Sequence, residues 1–205
     1  MKTSAHFSLP ILAGIALFTA PLDSKAQTFD ENTNTISAGY GFVTLLGAIS
    51  ESFDTYNDLK YSSLGPIYLK FEHAISDKVG MGLNVAYATN KWEYRYDDSS
   101  TGTAQQYTET TSRSTYSILL RMNFHFGESD KFDPYAGFGL GYRDAKWTVA
   151  STAPGGTSGT DLKTSVPFGF EMTVGARYYF AEHFGVYLET GLAKSVVQAG
   201  LVVKL

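Results

Sequence analysis

The chain has 205 residues, no cysteine, 18% charged residues and a formal charge of −4. Mild acidity argues against nucleic-acid binding, which needs a basic patch, and the lack of cysteine excludes disulfide bracing. Twenty glycines, 14 tyrosines and 14 phenylalanines set the stage for an all-β chain of one domain.

The N-terminus comes first in the chain and sets the compartment. Lys2 gives a positive start, Leu9 to Ala20 is apolar apart from Pro10, Gly14 and Thr19, and Ser24-Lys25-Ala26 places small residues at −3 and −1 before Gln27. This is the layout of a cleaved secretory signal, too short to span a membrane as a helix. Residues 1–26 are therefore expected to be a signal peptide and residues 27–205 the mature domain. Removing Lys2, Lys25 and Asp23 with the signal shifts the charge to −5.

Beyond residue 26 no window is apolar for the roughly 20 residues of a transmembrane helix, and period-two alternation takes over. It predicts eight strands at about 35–46, 62–75, 79–96, 107–126, 134–149, 164–180, 184–193 and 196–205. In the third, Val79, Met81, Leu83, Val85 and Tyr87 alternate with Gly80, Gly82, Asn84, Ala86 and Ala88. In the fourth, Tyr116, Ile118, Leu120, Met122, Phe124 and Phe126 alternate with Ser117, Leu119, Arg121, Asn123 and His125. The sixth sets Phe168, Phe170, Met172, Val174 and Tyr178 against Gly169, Glu171, Thr173, Gly175 and Arg177; the seventh sets Phe184, Val186 and Leu188 against Gly185, Tyr187 and Glu189. Alternation slips near Thr89–Trp92, which predicts a bulge or a strand continuing above the membrane. Ser76–Lys78, Gly127–Asp133 and Ala181–His183 are short connections. Gly47–Tyr61, Asp97–Gln106 and Ser151–Lys163 are longer and polar, although Ala193–Ser195 on the same side is short. Short turns at one end and long loops at the other are the arrangement of an outer-membrane barrel.

Charge placement decides which face meets lipid. Lys70, Glu72, Arg121, Arg143, Glu171, Arg177, Glu189 and Lys204 all fall on the polar faces. A charge facing lipid near the midplane costs about 2–4 kcal/mol, and eight of them would exceed the ~5–15 kcal/mol stability of a domain. The polar face must point inward in a membrane. A soluble lipocalin-like barrel would instead leave it in water. Against that stand a glycine-rich polar face, including Gly39, Gly80, Gly137, Gly139 and Gly175, and two aromatic groups at the strand ends. One is Tyr61, Trp92, Tyr94, Tyr96, Tyr107 and Trp147; the other is Phe126, Phe132, Tyr135, Tyr178, Phe180 and Phe184. Paired aromatic girdles belong to membrane barrels.

The last residues, Gln198 to Leu205, place a polar residue, Gly200 two later, and hydrophobics at Val203 and Leu205. This looks like the C-terminal signal read by the barrel-assembly machinery, with Leu205 where an aromatic is usual. Pro134–Tyr142 (PYAGFGLGY), Val174–Phe180 (VGARYYF) and Phe184–Glu189 (FGVYLE) resemble segments of the OmpA-like and OmpW-like barrel families. The resemblance implies an eight-stranded antiparallel up-and-down transmembrane β-barrel with both termini in the periplasm of a Gram-negative cell envelope. It carries no support for a peptidoglycan-binding domain, since the chain stops at the last strand.

Five positive and three negative residues on the inner wall are expected to pair into a lumen network that replaces a hydrophobic core; a surplus of two positive charges would bias any pathway toward anions. His73, His125 and His183 form no nucleophile–base constellation or metal-ligand spacing. Asp54, Asp58, Asp97, Asp98 and Asp161 are read as solvated loop residues. The expectation is a non-enzymatic outer-membrane protein with a structural or surface-interaction role, without cofactor. Its partners are expected to be outer-membrane lipid and the assembly machinery, and its state a monomer. A passive pore of OmpW-like type and a lipid-modifying enzyme are the alternatives.

Overall fold

A computed structural model describes residues 28–44, 59–98, 105–156, 158–163 and 166–205. The proposed signal peptide, Asp54 and Asp58 lie outside the described residues. The strands are β1 (Asn34–Thr44), β2 (Leu59–Ser76), β3 (Val79–Asp98), β4 (Gln105–His125), β5 (Phe132–Ser151), β6 (Ser158–Lys163), β7 (Phe168–Tyr179), β8 (Phe184–Leu192) and β9 (Ser195–Lys204). Antiparallel pairing runs β1-β2-β3-β4-β5-β7-β8-β9, and β9 returns to β1 with Thr35 opposite Lys204. Eight strands thus close a ring, and the ring has no edge. Closure matters because hydrocarbon offers no partner for an unpaired backbone N–H or C=O.

Two differences from the sequence reading concern the outer end. The stretch Ser151–Lys163, read as a polar loop, contains β6, which pairs with the upper part of β5 from Lys146 to Ala150. Its Ser and Thr residues alternate too weakly to announce a strand. The following strand, β7, begins at Phe168 rather than 164, where Pro167 interrupts the ladder. At the slip near Thr89–Trp92 the strand continues, since β3 runs on to Asp98. β3 pairs with β4 without a break from Val79 to Asp98, whereas β2 shifts register between Leu64 and Ile67. Gly65 and Pro66 form this bulge, and Gly65 N–H donates to the Tyr40 hydroxyl at 2.8 Å.

The wall is uneven. β2, β3, β4 and β5 have 18 to 21 residues, while β7, β8 and β9 have 9 to 12. A strand of 9–11 residues crosses a bilayer, so β2–β5 stand well above it at the long-loop end. The other end is compact. Two residues, Asp77 and Lys78, turn β2 into β3, and Leu205 N–H donates to Asn34 O at 2.8 Å, which holds the last residue against the first strand.

Alternation sorts the side chains as the ring requires. Leu120 is 56% exposed while Arg121 beside it is 4% exposed; Phe170 is 47% and Glu171 1%. Leu69, Ile118, Val174, Leu188 and Leu201 join Leu120 on the outside as an apolar belt. Phe126, Phe132, Tyr178, Phe180 and Phe184 crown the belt at the short-turn end. Tyr135, grouped with them from sequence, points inward and is buried. Replacing Leu120 with Arg should lower the free energy of unfolding from lipid vesicles by about 2–4 kcal/mol, read from the urea midpoint. Unchanged stability would contradict a lipid-facing Leu120.

Candidate functional site

The interior is a set of polar side chains delivered from every part of the ring. Arg121 on β4 sits at its centre. Its Nε donates to Asn123 Oδ1 at 2.7 Å. Nη1 donates to Glu189 Oε2 at 3.0 Å and Glu171 Oε1 at 3.3 Å, while Nη2 donates to Glu189 Oε1 at 3.0 Å and Thr173 Oγ1 at 2.8 Å. All five guanidinium N–H groups are used. The pair with Glu189 is two-pronged, the strong form of such a contact. Glu189 on β8 also accepts from the Tyr135 hydroxyl at 2.6 Å and Gln198 Nε2 at 2.9 Å, and lies 2.9 Å from Lys70 Nζ. Asn84 Nδ2 donates to Glu171 at 2.7 Å.

A second layer lies toward the short-turn end. Arg177 pairs with Glu72 and, at 3.4 Å, with Asp133. His125 lies between the same two carboxylates, with Nδ1 2.7 Å from Asp133 Oδ1 and Nε2 2.8 Å from Glu72 Oε1. Both ring nitrogens can be donors only in the imidazolium form. Tyr135 joins the layers, since the Arg177 guanidinium sits 4.7 Å from its ring centre. Below this layer Phe29 stacks on His125 at 3.5 Å between ring centres, and Thr28 N–H donates to Ser129 O at 3.0 Å. The N-terminal segment therefore folds across the lower mouth.

Glycine makes this crowding possible. A methyl group at Gly80 would collide with the Glu72 carboxylate, at Gly137 with the Arg121 guanidinium, and at Gly139 with the Glu171 side chain. A cavity of about 10 Å³ remains among Lys70, Glu72, Arg121, Tyr135, Arg177 and Glu189. It holds about one water molecule.

Of the eight inner-wall charges named from sequence, Lys70, Glu72, Arg121, Glu171, Arg177 and Glu189 meet in these two layers. Arg143 and Lys204 do not. Arg143 is partly exposed near the outer mouth, where its Nη2 donates to Phe170 O at 3.1 Å. Lys204 lies at the opposite end over the Tyr179 ring, 5.6 Å from its centre. Alternation gives the face of a residue but not its height in the barrel. Asp133 and His125 take their places, so four carboxylates face Lys70, Arg121, Arg177 and His125 and the expected positive surplus is absent from the network. Asp133 was assigned to a turn because Pro134 hid the start of β5 at Phe132; counting back by twos from Gly137 would have placed it inside. The tie of Phe29 to His125 had no sequence signal. Of the C-terminal residues, Gln198 is buried on Glu189, whereas Leu205 is exposed.

The upper aromatic group is also displaced from the girdle. Unbroken alternation above Asn84 puts Trp92 on the concave face, and Trp92 stacks on Trp147 at 5.9 Å and lies 5.6 Å from Tyr61. These three rings line the inside of the raised wall instead of forming a girdle.

A closed ring with an apolar belt and a charged interior is the geometry of a membrane barrel. Residues 11–196 match the family of the outer membrane protein beta-barrel domain. The chain belongs to this family. An outer-membrane location follows from membership. Among solved structures, the outer membrane protein OprG from Pseudomonas aeruginosa is similar at 13% identity, covering 88% of this chain and 99% of that one, with a TM-score of 0.46. The N-terminal beta-barrel domain of Pseudomonas aeruginosa OprF is 18% identical, covering 85% and 97%, with a TM-score of 0.38. Ail, the attachment invasion locus protein of Yersinia pestis, is 14% identical, covering 85% and 95%, with a TM-score of 0.41. No curated protein matches the sequence.

Removing one partner of a buried pair strands the other, at a cost of about 3–5 kcal/mol. Arg121→Met should lower barrel stability by that amount in urea titrations in vesicles. Arg121→Met combined with Glu189→Met should lose less than Arg121→Met alone, because no carboxylate is then left without its guanidinium. Equal midpoints for wild type and Arg121→Met would show that the web does not hold the barrel together.

Proposed function

We propose that this protein is a non-enzymatic, non-conducting outer-membrane barrel that acts through its place in the membrane and through what its outer end contacts. One observation carries the reading: the Arg121 web joins β3, β4, β7, β8 and β9 across the bore through Asn84, Glu171, Thr173, Glu189 and Gln198. Eight strands enclose a lumen that side chains just fill. The cavity within the web, about one water in size, is too small for a hydrated ion path, and movement of an ion through it would break several charge-assisted hydrogen bonds at once.

His125 supports a non-catalytic role, because both of its nitrogens are engaged by carboxylates and a general base needs a free nitrogen within reach of a nucleophile. On this proposal outer-membrane lipid covers the Leu120 belt and the protein works as a monomer. The assembly machinery reads Gln198, Gly200, Val203 and Leu205 before the ring closes, since folding takes Gln198 into the lumen.

Conductance in planar bilayers tests the proposal. The wild-type protein should show no steady openings, whereas a variant combining Arg121→Ala, Tyr135→Ala and Arg177→Ala should. Steady wild-type openings would establish a pore in place of a plug. Mass profiles of outer-membrane lipids should be the same with and without the gene; a missing lipid product would point to an enzyme.

A further inference from the structure

The outer mouth carries a set of cations that the lumen network does not use. Alternation from Arg121 brings Arg113 to the concave face of β4, and Arg143 lies on the same face of β5. The register places Arg113 opposite Trp147 and Arg143 opposite Ser117, so the two guanidiniums flank one stretch of the β4–β5 wall. Lys194 approaches from the far side of the mouth, in the two-residue turn that joins the short strands β8 and β9. We propose that Arg113, Arg143 and Lys194 form a binding site for a small oxyanion, such as sulfate, phosphate or a carboxylate, that enters from the outer side.

Each of the three side chains has a buried donor without a hydrogen-bond partner among the described residues: Arg113 Nε, Arg143 Nε and Lys194 Nζ. Leaving a buried charged donor unmet is costly, and collecting three like charges adds repulsion. Arg121, a few residues below on the same strand, shows the contrast, since all its donors are used. Among the described residues, Glu171 and Asp144 are committed elsewhere. Glu171, felt by Arg143, is held by Asn84 and Arg121. Asp144 faces the outside, where it accepts from the Tyr116 and Tyr142 hydroxyls. An oxyanion would meet the orphaned donors together and cancel the repulsion.

The surroundings are built to hold such a guest. The Arg113 guanidinium rests 5.2 Å from the Trp147 ring centre, and Trp147 is braced by Trp92. Beneath lie Leu119 and the Tyr68 hydroxyl, which is 2.9 Å from Ser195 Oγ, and below them the Arg121 web blocks further descent. The cleft is a dead end, which suits binding and not passage. Burial, then the charges of Arg143 and Arg113, pull the Lys194 ammonium down to about 7. An anion in the cleft would raise it again, so binding takes up a proton near neutrality and weakens as pH rises. Among the described residues, the charged groups facing Lys194 are Arg143 from β5 and Arg113 from β4, with Glu171 and Tyr68 behind Arg143.

The protein's two tryptophans, Trp92 and Trp147, both adjoin the site, so intrinsic fluorescence of the folded full chain in zwitterionic detergent reports on it. Titration with sodium sulfate at fixed ionic strength should give a saturable change, weakened about tenfold or more in Arg143→Met and in Lys194→Met. Lys91→Met, on the raised wall, should bind like wild type. Between pH 6 and 8.5 wild-type affinity should fall, and Lys194→Met should lose that dependence. As a measurement free of variants, sulfate should raise the wild-type unfolding temperature more than chloride at matched ionic strength. Absence of saturation and of the sulfate-specific temperature shift, or affinities unchanged in both Met variants, would overturn the proposal.

Discussion

A closed eight-strand ring leaves its interior too narrow for a continuous water column and too polar for a hydrophobic core, and the pairing of Arg121 with Glu189 resolves that conflict. Ring closure satisfies the backbone, and lipid satisfies the outer side chains. The inner side chains must satisfy one another. Arg121 does most of this by spending every N–H it owns, and Glu189 answers with contacts from four different strands. The glycines opposite are the other half of the arrangement. A web of long charged side chains fits only where the facing wall has no Cβ, as at Gly137 and Gly139.

The two ends of the barrel depart from this balance in opposite ways. At the short-turn end the charge web is completed by His125 and Asp133, and Phe29 stacks on His125 beneath it. At the outer end β2 to β5 rise above the rest, and their inner surface carries stacked aromatics beside Arg113 and Arg143, whose Nε donors have no partner among the described residues. Stability requirements account for the lower two layers. They do not account for Arg113, Arg143 and Lys194 around the outer mouth, each with a buried donor unpaired and no carboxylate partner among the described residues, which is why that end invites a ligand while the middle excludes one.

Much of the fold was legible because lipid imposes a strict rule. One face of every strand must be apolar over the width of the bilayer, and this forced the alternation seen in β3, β4, β7 and β8. The same rule separated Leu120 from Arg121 and Phe170 from Glu171 without any structure. It weakens outside the membrane, where both faces meet water. There β6 was mistaken for loop, and Trp92 and Trp147 were taken for a girdle although they line the inside. Pro134 concealed the beginning of β5 and with it Asp133.

The sequence by itself determined the number of membrane-crossing strands and the inward face of the eight charges named from alternation, since these depend on local order and on a period of two. Which charges meet was decided by the tertiary structure alone. Pairing depends on strand register and on height along the barrel, and these join residues as distant as Glu72 and Arg177 or Phe29 and His125. Arg143 and Lys204 share the inner face with Arg121, yet stand near opposite mouths, because a period of two fixes direction and says nothing of depth.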